Sequence, residues 1–182
     1  MRNRASRGPL RELVEVVLLA VVLAFLIRTF FFEVYRVEGA SMEATLHTGD
    51  RVLVNKWLYL WRLPEKGEVI VFQYPEDLTR DFIKRVVAVS GDTVEIRQGK
   101  VYVNGELLPE VASTLSDRET WAPHVVEPDT VWVLGDNRSN SEDSRYFGPV
   151  QRTQIRGQAF YRVWPLSTMA WVERPVLAQE DK

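Results

Sequence analysis

Lysine is scarce in this sequence, and one lysine stands where its charge is costly. The lysines are Lys56, Lys66, Lys84, Lys100 and Lys182, against eighteen arginines. Lys84 lies in Asp81-Phe82-Ile83-Lys84-Arg85-Val86-Val87-Ala88-Val89, which reads as a strand over Phe82–Val89. Side chains alternate along a strand, so Lys84 shares a face with Phe82, Val86 and Ala88. A lysine in an apolar row reaches water at an edge, finds a partner, or gives up its charge. Lowering its pKa from about 10.4 to near 7–8 costs roughly 3–5 kcal/mol. A neutral amine can serve as general base to a hydroxyl nucleophile, and Ser-Lys pairs are one variant of the catalytic triad. Ser41 is the best placed hydroxyl, because Gly39-Ala40 before it lets a backbone approach closely. The pattern alone leaves plainer readings open: an edge lysine and a turn serine.

Other chemistries are excluded by composition. The 182 residues contain no cysteine, which removes disulfides, thiol catalysis, thiolate zinc sites and iron–sulfur clusters. His47 and His124 are the two histidines, too few for a histidine metal cage. A Ser-His-Asp hydrolase using either is formally open, but nothing marks one as oriented by a carboxylate. No HExxH, Walker A or GxSxG occurs. The net charge of −2 argues against a nucleic-acid partner.

The charge is unevenly spread. Residues 1–11 carry Arg2, Arg4, Arg7 and Arg11 and no acid, while the remaining 171 residues hold 19 basic and 25 acidic groups. The basic segment precedes twelve unbroken apolar residues, Val16 to Ile27, followed by Arg28, Thr29 and Phe30-Phe31-Phe32. As a helix, residues 16–32 span roughly 25 Å, close to a bilayer core of about 30 Å. We expect a basic cytoplasmic segment over 1–11 and a transmembrane anchor over 12–33. No small-x-small cleavage site follows the run, so an uncleaved anchor is expected over a signal peptide. The arginines before it place the N-terminus inside, and the rest of the chain outside.

From residue 34 to 172 the period becomes two, and an all-β catalytic domain is expected, a folded sheet or barrel-like assembly. Strands are predicted at Arg51–Asn55, Glu68–Gln73, Phe82–Val89, Thr93–Arg97, Lys100–Asn104, Thr130–Leu134 and Ile155–Val163. Gln98-Gly99 joins two of them in a hairpin. Trp57, Tyr59 and Trp61 are expected on one face of a further strand, as a core hairpin or as an apolar lip in the membrane interface. Residues 109–129 read as a loop, residues 173–182 as a frayed tail, and no helix is expected after the anchor.

Four ordered segments carry a resemblance. They are Gly39-Ala-Ser41-Met42-Glu-Ala-Thr-Leu46, Gly49-Asp-Arg-Val-Leu-Val-Asn-Lys56, Asp81-Phe-Ile-Lys84-Arg85-Val-Val-Ala-Val-Ser-Gly91-Asp92, and Gly135-Asp136-Asn-Arg138-Ser-Asn-Ser141-Glu-Asp143-Ser-Arg145. Together they resemble the boxes of bacterial signal peptidase I, from the anchor to about residue 165. The resemblance implies a membrane-bound serine endopeptidase that cleaves signal peptides from exported preproteins after small-x-small sites. It implies Ser41 as nucleophile, Lys84 as general base and Ser141 as the hydroxyl that orients the lysine. Asp143 and Arg145 match a supporting ion pair, with Asp136, Arg138 and Arg85 around it. Val37, Met42, Leu46, Val71 and Ile83 are implied as substrate-pocket residues.

Two positions depart from the family pattern: Ala44 stands where proline is usual, and Gly39 where some relatives place an oxyanion-assisting serine. No metal or cofactor is expected, the partners are preproteins and the bilayer, and a monomer is expected. The rival readings are an anchored β-domain that binds envelope proteins without chemistry, and a self-cleaving Ser-Lys peptidase. The second would carry a DNA-binding helical module, which this sequence lacks.

Overall fold

The computed structural model describes residues 9–43, 45–109 and 120–174. It opens with helix α1, Pro9–Phe31. Strands β1 (Phe32–Arg36), β2 (Arg51–Asn55), β3 (Val69–Tyr74) and β4 (Asp77–Val89) follow, with the one-turn helix α2 (Leu58–Trp61) after β2. Then come β5 (Thr93–Arg97), β6 (Lys100–Val103), β7 (Glu106–Leu107), β8 (Trp121–Val125) and β9 (Thr130–Leu134). The one-turn helix α3 (Ser144–Phe147), β10 (Val150–Gln151), β11 (Ile155–Trp164) and β12 (Ala170–Trp171) complete the order.

The described chain after α1 is mainly β, and its strand pairs are antiparallel. The larger sheet runs β1-β2-β11-β3-β4-β9-β10, with β12 beside β11; the smaller runs β7-β6-β5-β8. Alternation explains the core. Val52 and Val54 face inward from β2 and pack with Val37, Met42, Leu46, Val69 and Val71. A second cluster joins Ile70, Phe72, Val86 and Val133, and a third fills the smaller sheet around Val94, Ile96, Val101 and Trp132. β3 and β4 are buried on both faces along much of their length, so they read as near-continuous apolar runs.

Several expectations change. Residues 57–61 are not a strand: the Asn55 side chain accepts hydrogen bonds from the Trp57 and Leu58 amides and turns the chain into α2. Tyr59 points inward and donates to the buried carboxylate of Glu68, while Trp57 and Trp61, four residues apart on one helical face, are exposed. Glu68 also accepts from Arg62, Gln158 and Arg174, tying α2, β3, β11 and the chain after β12 together. The expected loop over 109–129 contains β8, which tolerates Pro123 because it is the sheet's edge strand. The short helices α2 and α3 lie where none was expected after the anchor. At the start of the expected tail, the Glu173 carbonyl accepts from Arg85 and Arg174 reaches Glu65; residues 175–182 lie outside the described residues.

Among the described residues, no helix is long and apolar enough to cross a membrane. On α1 the described side chains run from Leu10 to Phe25 and resume at Phe31. The first turns carry Arg11, Glu12 and Glu15. The basic segment expected at the N-terminus falls largely outside the described residues.

Candidate active site

Ser41 sits in the turn that follows β1. The turn is closed by backbone hydrogen bonds from Val37 N–H to Asp50 O and from Gly49 N–H to Val37 O. Met42 and Leu46, fully buried, fasten it to the core. From the other side, Asn137 holds it: the Asn137 N–H donates to Ser41 O at 3.0 Å and its side-chain amide to Ala40 O at 3.1 Å. The hydroxyl itself faces β4.

Lys84 comes from β4, paired with Ile70 of β3. Its Nζ donates to Ser41 Oγ at 2.8 Å and to Ile83 O at 3.1 Å. The ring of Phe82 lies 5.0 Å away. The side chain is 4% exposed. Burial pushes its pKa down to about 8, against the opposing pull of Asp143, Glu142 and Asp136. Desolvation therefore wins over three carboxylates, because the amine has no ion-pair partner within reach among the described residues.

The loop from Gly135 to Arg145 supplies the frame. Arg85, next to Lys84, grips Asp136 with Nε and Nη2 at 2.8 and 2.6 Å; both side chains are almost fully buried. Thr45 Oγ1 adds a 2.5 Å hydrogen bond to the same carboxylate, so the Ser41 turn, β4 and this loop meet at Asp136. Asp143 is held in the same bidentate way by Arg145, at 2.8 and 3.0 Å, and accepts from Gly135 N–H at 3.0 Å. Arg145 also donates to Arg138 O. Arg138 donates from Nε to Gly135 O at 3.0 Å, and burial pushes its pKa down.

Ser141 is buried beside this frame. Its Oγ makes no hydrogen bond to the described residues, so the lysine-orienting contact expected of it is absent from this arrangement.

In front of Ser41 and Lys84 lies a cleft of about 460 Å³. Val37, Val71 and Ile83 line it. Met42 and Leu46 do not: both side chains turn into the core and hold the Ser41 turn from behind. Val52, Tyr35 and Glu142 line the cleft and were missed. The alternation of Arg51-Val-Leu-Val-Asn55 could have found Val52, since every second residue of that strand faces the same side. Glu142 lies inside the fourth segment, between Ser141 and Asp143. Asn137 was missed in the same way.

The histidines are elsewhere. His47 is exposed in the turn, and His124 lies on β8 with its ring 4.7 Å from Trp132. Neither lines the cleft. Among the described residues, no three His, Asp or Glu side chains are grouped to hold a metal ion. Ala44 lies outside the described residues.

The model of the family described as signal peptidase, peptidase S26, matches residues 10–164. The chain belongs to the S26 signal peptidase family. It is thus a serine endopeptidase of the signal peptidase I kind. The chain is 42% identical over 160 residues to the probable signal peptidase I-2 of Synechocystis, covering 85% of this chain and 73% of that protein. It is 38% identical over 175 residues to the signal peptidase I of Leptolyngbya laminosa, covering 92% and 86%. The thylakoidal processing peptidase 1 of Arabidopsis thaliana is 36% identical over 162 residues, 83% of this chain and 47% of that protein. The signal peptidase match takes in all four segments that carry Ser41, Lys84 and the loop around Asp136 and Asp143.

Proposed function

We propose that this signal peptidase cleaves N-terminal signal peptides from exported preproteins, with Ser41 as nucleophile and Lys84 as general base. The observation that carries the reading is the 2.8 Å hydrogen bond between Lys84 Nζ and Ser41 Oγ at the wall of an open cleft, with the amine buried. A base whose pKa lies near the working pH combines a useful neutral fraction with enough proton affinity.

The steps balance within these two side chains and water. Neutral Lys84 takes the Ser41 hydroxyl proton as Oγ bonds to the scissile carbonyl carbon. The Ser41 N–H, which has no hydrogen-bond partner among the described residues, is the oxyanion donor. The Lys84 ammonium then protonates the leaving amine as the C–N bond breaks, leaving an ester on Ser41. Lys84 next deprotonates water, the hydroxide attacks the ester, and the proton returns to Ser41 Oγ. Asp136, Asp143, Arg85, Arg138 and Arg145 hold the loop that positions the pair, with Ser141 buried beside them. No cofactor enters any step.

The cleft walls of Val37, Val52, Val71 and Ile83 leave room for small side chains, which suits cleavage after small-x-small sequences. The preprotein strand pairs along the edge beside β1, taking register from backbone hydrogen bonds.

The enzyme works at a cell membrane with α1 as its anchor. The helix is 23 residues long, and the twelve-residue apolar run from Val16 to Ile27 within it is what suits it to enter the bilayer. The arginines before it put the N-terminus in the cytoplasm and the β domain outside. Where α1 ends, Phe31 stacks on Trp57 at 4.2 Å, and Leu60, Trp61 and Trp171 are exposed nearby in the fold. That aromatic margin suits the lipid–water interface. Holding enzyme and signal peptide in one bilayer raises their effective concentration. Nucleophile and base come from one chain, so a monomer suffices.

The test is cleavage of a purified preprotein bearing an Ala-x-Ala site, in detergent micelles, across pH 6–10. The wild type cuts after the second alanine with a rate that rises with pH. Ser41→Ala and Lys84→Ala fold and do not cut. Appreciable cleavage by either variant would sink the assignment.

A further inference from the structure

We propose that Glu142, clamped by Tyr74 at the margin of the cleft, is a positioning residue that sets the pH at which Lys84 can act as base. The proposal rests on Lys84 being the base, as argued above.

Glu142 lines the same cleft as Ser41 and Lys84. Its carboxylate accepts a 2.7 Å hydrogen bond from Tyr74 Oη. The same hydroxyl lies 2.8 Å from Glu76 Oε2, so one hydrogen is shared between two carboxylates. The Tyr74 phenol is held far from ionisation, pushed up by these two acceptors, and remains a donor throughout the working range. Tyr74 in turn stacks on Phe82 at 4.4 Å, nearly parallel, and Phe82 presents its ring to the Lys84 amine. The glutamate is therefore fixed relative to the base through two packed rings.

The charges around Lys84 differ in how they are matched. Asp136 is gripped by Arg85 and Asp143 by Arg145, each through two hydrogen bonds. Arg138 lies among them, against Gly135 O. On β4, Asp81 is 3.4 Å from Arg156, and Arg80 lies over the Phe82 and Tyr74 rings at 5.2 and 5.6 Å. Arg36, the last residue of β1, and Glu38 also line the cleft. Glu142 has a neutral phenol as its partner and makes no ion pair among the described residues. Its negative charge is thus the unmatched one in the loop beside the base. Such a charge favours the ammonium form of the lysine and opposes the burial that favours the amine. Glu142 holds the base back from becoming neutral at too low a pH.

The experiment is the pH profile of kcat/KM for the full chain in detergent micelles, on the preprotein with an Ala-x-Ala site. The variants are Glu142→Gln, Glu142→Lys and Tyr74→Phe. Glu142→Gln moves the midpoint of the rise to lower pH by about 0.5–1 pH unit, and Glu142→Lys moves it further. Well below the wild-type midpoint, kcat/KM of Glu142→Gln relative to its own alkaline plateau is therefore about 3–10-fold higher than the same ratio in wild type. Tyr74→Phe keeps the stack, frees the carboxylate, and gives a smaller shift. An unmoved midpoint in both Glu142 variants, with melting unchanged, overturns the proposal; so does a shift to higher pH, or a lowered plateau without a shift. Cleavage by Lys84→Ala would instead overturn the underlying reading, whatever the Glu142 variants do.

Discussion

Gly135 packs against Ser141 so closely that a methyl group on it would overlap the Ser141 hydroxyl and lie 2.5 Å from Ser41 O. The close approach lets the loop carrying Asp136 and Asp143 lie directly on the Ser41 turn. Gly135→Ala must push Ser141 or the Ser41 turn aside. The expected cost is about 1–3 kcal/mol of stability, from overpacking a tight site. Cleavage falls more steeply than stability, because Ser41 itself moves. Thermal melting and kcat of the same preparation check this; a variant with wild-type kcat would show that the contact relaxes harmlessly.

The displaced pKa of Lys84 links activity and stability to pH. Cleavage should rise through a midpoint near 8 as the amine loses its proton. For stability the sign follows from proton counting. Between about 8 and 10.5 the unfolded chain binds more protons at this site than the folded one, so stability contributed here rises with pH across that window. Below about 8 the site exacts its full cost, on the order of 3 kcal/mol. Lys84→Met should therefore be inactive yet more stable than wild type at pH 7, with the gain shrinking toward pH 10. Urea unfolding of both proteins at the two pH values decides it; a pH-independent difference would count against a depressed pKa.

The sequence made Lys84 legible because burial of a strand residue shows as alternation, and Phe82, Val86 and Ala88 frame it. The strands flanking the site were legible for the same reason. Helix α2 was not: the residues Trp57 to Trp61 alternate as a strand would, and only the Asn55 side chain bonding to two successive amides bends them into a turn. β8 was hidden because Pro123 breaks a strand pattern unless the strand lies at an edge, and edges are a tertiary property. Met42 and Leu46 flank Ser41 in sequence, yet a turn points neighbouring side chains in opposite directions, and these two point into the core. Glu142 and Tyr74 are 68 residues apart, so their contact could come only from the fold.

The Arg85–Asp136 pair is expected to be a structural support with a large penalty for breaking it. Both side chains are at most 1% exposed, and Arg85 also donates to Gly67 O and Glu173 O. Asp136→Asn strands a buried guanidinium with an amide in place of a carboxylate. The expected loss is about 3–5 kcal/mol, well above that from an exposed pair such as Arg11–Glu15. Chemical unfolding of Asp136→Asn beside Glu15→Gln measures both; a loss below about 1 kcal/mol would refute the supporting role.

Ile83 is the cleft wall most open to redesign, since it is only partly buried and lines the space in front of Ser41. Ile83→Ala removes three carbons and should admit larger residues at the cleavage site. A methylene of room is worth about 1–3 kcal/mol in discrimination. The ratio of cleavage at Val-x-Val-like sites to cleavage at Ala-x-Ala should rise at least tenfold. Competition between the two preproteins in one reaction reads the ratio directly, and an unchanged ratio would remove Ile83 from the pocket.

The exposed aromatic margin gives a prediction that separates membrane contact from folding. Trp61 is 80% and Leu60 64% exposed, so they bury little in the folded chain. Replacing both with serine should change stability by no more than about 0.5 kcal/mol. A margin resting at the lipid–water interface would lose the transfer energy of a tryptophan and a leucine, a few kcal/mol at full burial. The proposed α1 anchor would by itself keep the full chain in a bilayer, so the readout is not attachment. It is the blue shift and quencher depth of the remaining tryptophans, Trp57 above all, in proteoliposomes carrying brominated lipids. The double variant should show Trp57 less quenched and signal-peptide cleavage slower in vesicles, while cleavage in detergent micelles is nearly unchanged. Equal quenching and equal vesicle rates would mean that the margin faces water, and that α1 alone sets the height of the cleft above the membrane.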